Sequence, residues 1–353
     1  MVNKSSSRSR KLARCFIAAL KGKLGEMPIK CGHPKKVRLA HFMQLTGTKL
    51  REAGAPVSQP ARPAVTVVAP CYNGGHFLPG LMASLARQTF RDFEIVIVDD
   101  GSDDEVTQRE LAAIDGRARI IRQDNRGPSG ARNTGIAHAR ADIVAILDCD
   151  DTIEPTYLAE TVPVLQAAAP DVAMVFTHMR TAGGQATVGR RYFNRFDLLF
   201  TNTVSVGLVL RKQCWRAVGG YDESMREGYE DWDFTLRLAE AGYRGIEVPK
   251  PLYIYYIRPD AMWQSRSSDV NRRHLHAKLW RLIRSKHPAS YRLPAIFRLW
   301  RTSRDGVIPL WKGLAACVLT QVMPDAWFSE LVNLLRTRSH RGRTAAQMRS
   351  AIM

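Results

Sequence analysis

An apolar run, Ile143-Val144-Ala145-Ile146-Leu147, ends in Asp148-Cys149-Asp150-Asp151. Three carboxylates gathered where a buried strand leaves its sheet repel one another unless a cation joins them. Carboxylate oxygen is the donor preferred by hard divalent ions such as Mg²⁺ or Mn²⁺. A cation held at a strand end with open positions serves phosphate chemistry. Cys149 is not expected among the ligands, because a soft thiolate suits neither ion; it should point to the opposite side of the chain and pack. Two more polar clusters follow apolar β runs: Pro70-Cys71-Tyr72-Asn73-Gly74-Gly75 after 65–69, and Asp99-Asp100-Gly101-Ser102 after 95–98. Ligands of open α/β sheets bind beyond the carboxyl ends of the strands, so the three clusters are expected to line one site.

The elements that must position them read as an alternation of strands and helices. Strands are expected at 65–69, 95–98, around Ile120 and Ile121, at 143–147 and at 172–176. Leu78, Leu81, Met82 and Leu85 recur at helical spacing up to Gln88. Further helices are expected at 131–139 and from Pro155 onward, where proline is tolerated at a helix start. The second half is less regular, with helices expected at 211–218 and 232–241 and a strand at 252–257. This alternation predicts an α/β fold with a doubly wound, mostly parallel sheet. Residues 53–63, with three prolines and small neighbours, read as a linker. The chain thus divides into a basic N-terminal extension and linker (1–62), a catalytic α/β domain (63–262) and a basic helical C-terminal extension (263–353).

Charge follows the same division. Residues 1–62 hold 14 Lys and Arg against 2 Asp and Glu, residues 263–353 hold 17 against 4, and the centre holds 21 against 27. The formal charge of +19 therefore comes from the flanks, which should seek an anionic surface. The six cysteines form no Cys-x-x-Cys pair, so neither a zinc site nor a disulfide framework is expected and a reducing compartment fits. The short apolar stretch 12–20 carries Arg14 and reads as an amphipathic helix rather than a signal peptide.

Five ordered segments over 63–262 resemble glycosyltransferase family 2: Val67-Val68-Ala69-Pro70-Cys71-Tyr72-Asn73; Ile97-Val98-Asp99-Asp100-Gly101-Ser102; Asn125 to Asn133; Leu147-Asp148-Cys149-Asp150-Asp151; and Gly228-Tyr229-Glu230-Asp231-Trp232-Asp233. The resemblance implies a GT-A nucleotide-sugar-binding fold and an inverting transferase that acts with Mg²⁺ or Mn²⁺. It places Pro70, Tyr72, Asn73, Asp99, Asp100, Arg132, Asn133 and Asp148 at the nucleotide-sugar, with Asp100 accepting from a uracil or thymine ring and Asp148 on the ribose. Asp150 goes to the metal, with Asp151 as its support. Arg132 opens a helix whose N-terminus attracts anions; alternatively it pairs with a carboxylate of the acidic cluster. Asp231 is read either as a helix N-cap or, as the resemblance implies, as the general base that takes the acceptor hydroxyl's proton. Glu230 and Trp232 stand beside it as acceptor or supporting residues. The basic, serine-bearing segment that closes over the diphosphate in the family is altered here, leaving Arg258 and Ser265 as candidates for a lid.

No Gln-x-x-Arg-Trp motif of processive synthases is present, so the expected reaction is transfer of one sugar from a nucleotide-sugar donor, a UDP-sugar first, to a glycan or lipid-linked acceptor in polysaccharide biosynthesis. A nucleotidyltransferase is the alternative, but 71–76 lacks the glycine-rich, Arg-Lys loop it would carry. A nucleic-acid-binding role is disfavoured by the acidic centre. Tryptophans 280, 300, 311 and 327 lie among basic residues, a composition suited to the interface of an anionic membrane. The expected place is the cytoplasm, peripheral to the inner face of the cytoplasmic membrane. Specificity should reside in the irregular stretch 178–227.

Overall fold

In the computed structural model the described residues are 62–114, 116–182, 191–204, 206–256, 269–303 and 305–322, with side chains left undescribed at 269–277 and 319–322. Residues 53–61 of the expected linker, the stretch 12–20, Arg258 and Ser265 lie outside them, as does Trp327.

The first half alternates as the periodicity demands. Strands β1 (Val65–Cys71), β2 (Phe93–Asp99), β3 (Arg119–Arg122) and β4 (Ile143–Ile146) alternate with helices α1 (Leu78–Ala86), α2 (Glu105–Ala113) and α3 (Gly127–His138). Then come β5 (Thr152–Ile153), α4 (Tyr157–Ala167), β6 (Val172–Thr181), β7 (Leu208–Arg211), α5 (Lys212–Ala217), α6 (Glu230–Glu240) and β8 (Arg244–Tyr255). Helices α7 (Asp269–Lys286), α8 (Leu293–Thr302) and α9 (Leu310–Val322) follow.

The eight strands form one sheet in the order β3-β2-β1-β4-β7-β6-β8-β5. The first four are parallel, β7 runs against both β4 and β6, β8 is parallel to β6, and β5 is antiparallel to β8. The sheet is therefore mostly parallel but mixed, with β7 and β5 reversed. Alternate residues feed two cores. Val65, Val67, Ala69 and Cys71 face α1, α2 and α4, while Val68, Val96, Val98 and Ile146 face α3, α6 and the C-terminal helices. Both faces of the central strands are covered, which is why they read as continuous apolar runs. Helix α3 lies close on β1: a Cβ at Gly135 would stand 2.3 Å from a methyl of Val68.

Several element boundaries need correction. The helix expected from Pro155 begins at Tyr157 behind Thr156; Pro155 lies outside, its carbonyl accepting from the Thr89 amide. The helix expected at 211–218 is shorter, because 208–211 is the reversed strand β7. Strand β8 starts eight residues before the expected 252, with Pro249 and Pro251 near the shifts in its register with β6. Proline demotes a strand assignment, which hid that half of β8. The C-terminal helices also do not stand apart as an extension. Trp280, Ile283, Tyr291 and Ile296 share one core with Trp232 and Phe234 of α6.

Candidate active site

At the carboxyl end of β4 the alternation decides which side chains meet. Leu147 and Cys149 pack toward the α1/α4 face, and the acidic turn takes the other positions. Carboxylate oxygens of Asp148, Asp150 and Asp151 all lie within 4.8 Å of one another. Asp151 is buried, accepting from the Tyr253 hydroxyl at 2.7 Å and from the Tyr256 amide at 3.0 Å. Burial, then the charges of Asp150 and Asp148, push its carboxyl well above the usual range. The hard oxygen set of this turn fits Mg²⁺ or Mn²⁺.

Arg132, buried near the start of α3, joins this turn to α6. Its Nη2 donates to Asp148 Oδ1 at 2.8 Å and its Nη1 to Glu230 Oε1 at 2.7 Å. Its guanidinium also stands 5.5 Å from the centre of the Tyr221 ring. This is the second of the two arrangements expected for Arg132. Glu230 is consequently engaged within the protein.

Asp231 follows Glu230 in the first turn of α6. The residue capping that helix is Tyr229, in the left-handed region at φ 66°, so the N-cap reading of Asp231 does not hold. Its Oδ1 accepts from the Trp232 amide and its Oδ2 from Asn202 Nδ2, both at 2.8 Å. Burial and then the neighbouring Glu230 charge push its carboxyl up to about 6, against the pull of Arg132, the Trp232 amide and Asn202. Trp232 itself is buried, with Nε1 donating to the Leu198 carbonyl at 2.7 Å; it supports α6 from below.

Asp100, after β2, is buried and its Oδ1 accepts from Gln123 Nε2 at 2.6 Å and from the Arg126 amide at 2.9 Å. Among the described residues no hydrogen bond reaches its Oδ2. Arg126 in turn pairs with Glu223 at 2.6 Å. Arg132 thereby ties the end of β4 to the start of α6, and Arg126 ties the end of β2 to Glu223. The remaining expected residues have these surroundings. Asp99 accepts from the Ser102 amide at 2.9 Å and pairs with Arg122 at 2.9 Å. Asn73 is bonded to Asp103 and Ser102. Asn133 bonds Tyr221, Trp215 and Glu223. These three hold loops together, whereas Tyr72 is 52% exposed and Pro70 half-buried beside it.

Sequence reasoning missed Asn202, Arg191, Arg126 and Glu223. Arg126 lies inside the segment Asn125 to Asn133, where its type alone does not mark it; the others fall in or near irregular chain with no signal. Nε of Arg191 is buried without a hydrogen-bond partner among the described residues, and its charge and that of Asp231 act on each other.

A model described as "Glycosyl transferase family group 2" matches residues 143–328, more than half of the chain, and "Glycosyl transferase family 2" matches 66–211. The chain is 32% identical over 215 residues to the O-antigen biosynthesis protein RfbC of Myxococcus xanthus, covering 58% of this chain and 16% of that protein. It is 31% identical over 221 residues to the succinoglycan biosynthesis protein ExoO of Rhizobium meliloti, covering 56% and 61%. The chain thus spans less than two thirds of the length of either relative. Among solved structures, S. aureus TarS 1-349 in complex with UDP-GlcNAc is similar at a TM-score of 0.49 and 20% identity, over 74% of this chain and 81% of that one.

Proposed function

The chain belongs to glycosyltransferase family 2, and we propose that it moves a single sugar from a UDP-sugar to a hydroxyl of a glycan or lipid-linked acceptor, with inversion, in the making of a surface polysaccharide. The observation that carries this reading is the Arg132 bridge, which ties the acidic turn after β4 to the helix bearing Asp231. The names of the two relatives support the pathway.

Asp231 takes the proton of the acceptor hydroxyl while that oxygen attacks the anomeric carbon. The bond to the diphosphate breaks on the opposite face and its electron pair leaves with UDP. One base suffices, and no covalent enzyme intermediate is needed. A carboxylate raised to about 6 is a better proton acceptor than an ordinary one and is still ionised at neutral pH. Asp100 offers Oδ2 to the imide N–H of the base. Asp148 reaches the ribose, and Asp150, with Asp151 behind it, would hold Mg²⁺ or Mn²⁺. The ion, when bound, offsets negative charge gathering on the departing diphosphate. Arg132 keeps Asp148 and the α6 terminus in fixed relation.

We further propose that the face of α8 and α9 rests on an anionic membrane, at the inner face of the cytoplasmic membrane. Among the described residues no helix is long and apolar enough to cross a membrane. Yet Leu293, Phe297, Trp300 and Trp311 are exposed, alongside Arg292, Arg298, Arg301 and Lys312. Tryptophan and arginine together suit such an interface.

The test is UDP release from a panel of UDP-sugars with Mn²⁺. Asp231→Asn should bind UDP as the parent does and release it on the order of 10²–10⁴-fold more slowly. Unchanged turnover by that variant would sink the base assignment. Release of pyrophosphate instead of UDP would identify a nucleotidyltransferase.

A further inference from the structure

The two thiols beneath the acidic turn have no part in this mechanism. Strands β1 and β4 pair in parallel with Thr66 opposite Val144, Val67 opposite Ala145 and Val68 opposite Ile146. Beyond the last of these pairs, Cys71 ends β1 and Cys149 lies in the turn that follows β4. The side chains share a face, both packed on the α1/α4 side. Gly74 keeps the space over them clear: a Cβ there would stand 2.8 Å from the Cys149 sulfur and 3.5 Å from that of Cys71. The two are not bonded to each other in this structure, where Cys149 is half-buried and Cys71 is buried.

We propose that Cys71 and Cys149 are a reversible disulfide-forming pair whose closure loosens the acidic turn. The oxidant is a peroxide. One of the two sulfurs attacks one peroxide oxygen, the O–O bond breaks, and water leaves, giving a sulfenic acid. The other sulfur then attacks that oxidised sulfur, the S–O bond breaks, and the oxygen departs as a second water with the second thiol's proton. Two thiols lose two hydrogens and one peroxide becomes two waters. Disulfides of reducing compartments are transient and redox-sensing in this way. The bond draws the sulfurs to about 2.05 Å. Because Cys149 stands between Asp148 and Asp150, that contraction turns both carboxylates. The effect on metal rests on the metal-binding reading above; the disulfide does not.

The full chain is treated with hydrogen peroxide, denatured, alkylated with iodoacetamide and mapped by mass. The expected result is a peptide pair joined through Cys71 and Cys149, two hydrogens lighter and restored by dithiothreitol. Cys214, whose neighbour is the Tyr243 hydroxyl, stays alkylated throughout. Mn²⁺ affinity of the oxidised chain should fall by about tenfold and recover on reduction. In Cys71→Ser, Cys149 should pass to the sulfinic acid instead, with no recovery. Mapping on the unaltered chain decides the matter even where that variant fails to fold. Both cysteines alkylated after peroxide, or Cys149 oxidised singly in the parent, overturns the pair. A clean link with unchanged Mn²⁺ affinity overturns the switch. A reduced chain that never binds Mn²⁺ overturns the metal reading and leaves the link itself standing on the mass map.

Discussion

Asn202 donates from Nδ2 to Oδ2 of Asp231 at 2.8 Å, and this bond reaches the carboxylate from a loop 29 residues earlier in the chain. The Trp232 amide holds the other oxygen, so the carboxylate is fixed at both ends. Each oxygen keeps a further lone pair for an incoming hydroxyl.

The amide favours the ionised form of Asp231, so Asn202→Ala should lift that carboxyl further above about 6. The acid limb of the rate profile then moves to higher pH. In the parent, UDP release should decline as pH falls through about 6, since the base must be unprotonated to act. A profile of kcat against pH for the two proteins checks both statements; identical limbs would separate Asn202 from the base.

Arg132→Met should be costly. It strands Asp148 and Glu230, two carboxylates that the guanidinium now joins. Removing one partner of a buried ion pair costs about 3–5 kcal/mol, a fall in Tm on the order of 10 °C. Arg132→Lys should recover only part of this, because an ammonium lacks the planar fork that serves two acceptors at once. Thermal unfolding of the three proteins at neutral pH is the measurement.

His287 anchors α7 to α6 by facing Asp233 at 3.2 Å and Glu240 at 2.9 Å. Lys286 and Arg237 lie on the same Asp233, at 3.7 and 2.8 Å. Burial opposes the charged imidazole, but its bonds to Asp233 and Glu240 prevail and raise it to about 9 from the ordinary 6.5. A folded value above the unfolded one stabilises fully below pH 6.5 and is lost as pH rises through about 9. The term is on the order of 3 kcal/mol. Urea unfolding from pH 6 to 10 should show the decline, and His287→Gln should flatten it.

Phe297→Glu with Trp300→Glu should weaken binding to phosphatidylglycerol vesicles by at least about tenfold. Both positions are 43% exposed, so folding and UDP release in solution should persist. Undiminished vesicle binding would move the membrane contact elsewhere on the chain.

The first half of the fold was legible because β1, β2 and β4 are buried on both faces and end in polar clusters. Continuous apolar runs and the residues after them needed only a period and a punctuation mark. The second half was not. Strand β7 offers only three apolar residues, too few to outweigh the helical reading of 211–218. The start of β8 is masked by two prolines. Asn202 sits where no period exists, and its partner lies on another element, so its role is invisible until the chain is folded. Arg132 was legible as a residue to watch, and one of its two readings named the acidic cluster; the second carboxylate, Glu230, stands 98 positions away.

The seat of α6 is completed from below by Trp280, Ile283, Tyr291 and Ile296. A nascent chain released only to the end of β8 can therefore pair its first four strands while the helix carrying Asp231 still lacks a floor. Assembly of the centre waits on roughly the next forty residues to leave the ribosome. A protein shortened at the last sequence motif would be an unfinished fold, and a deletion scan that stops there would misread lost packing as lost chemistry.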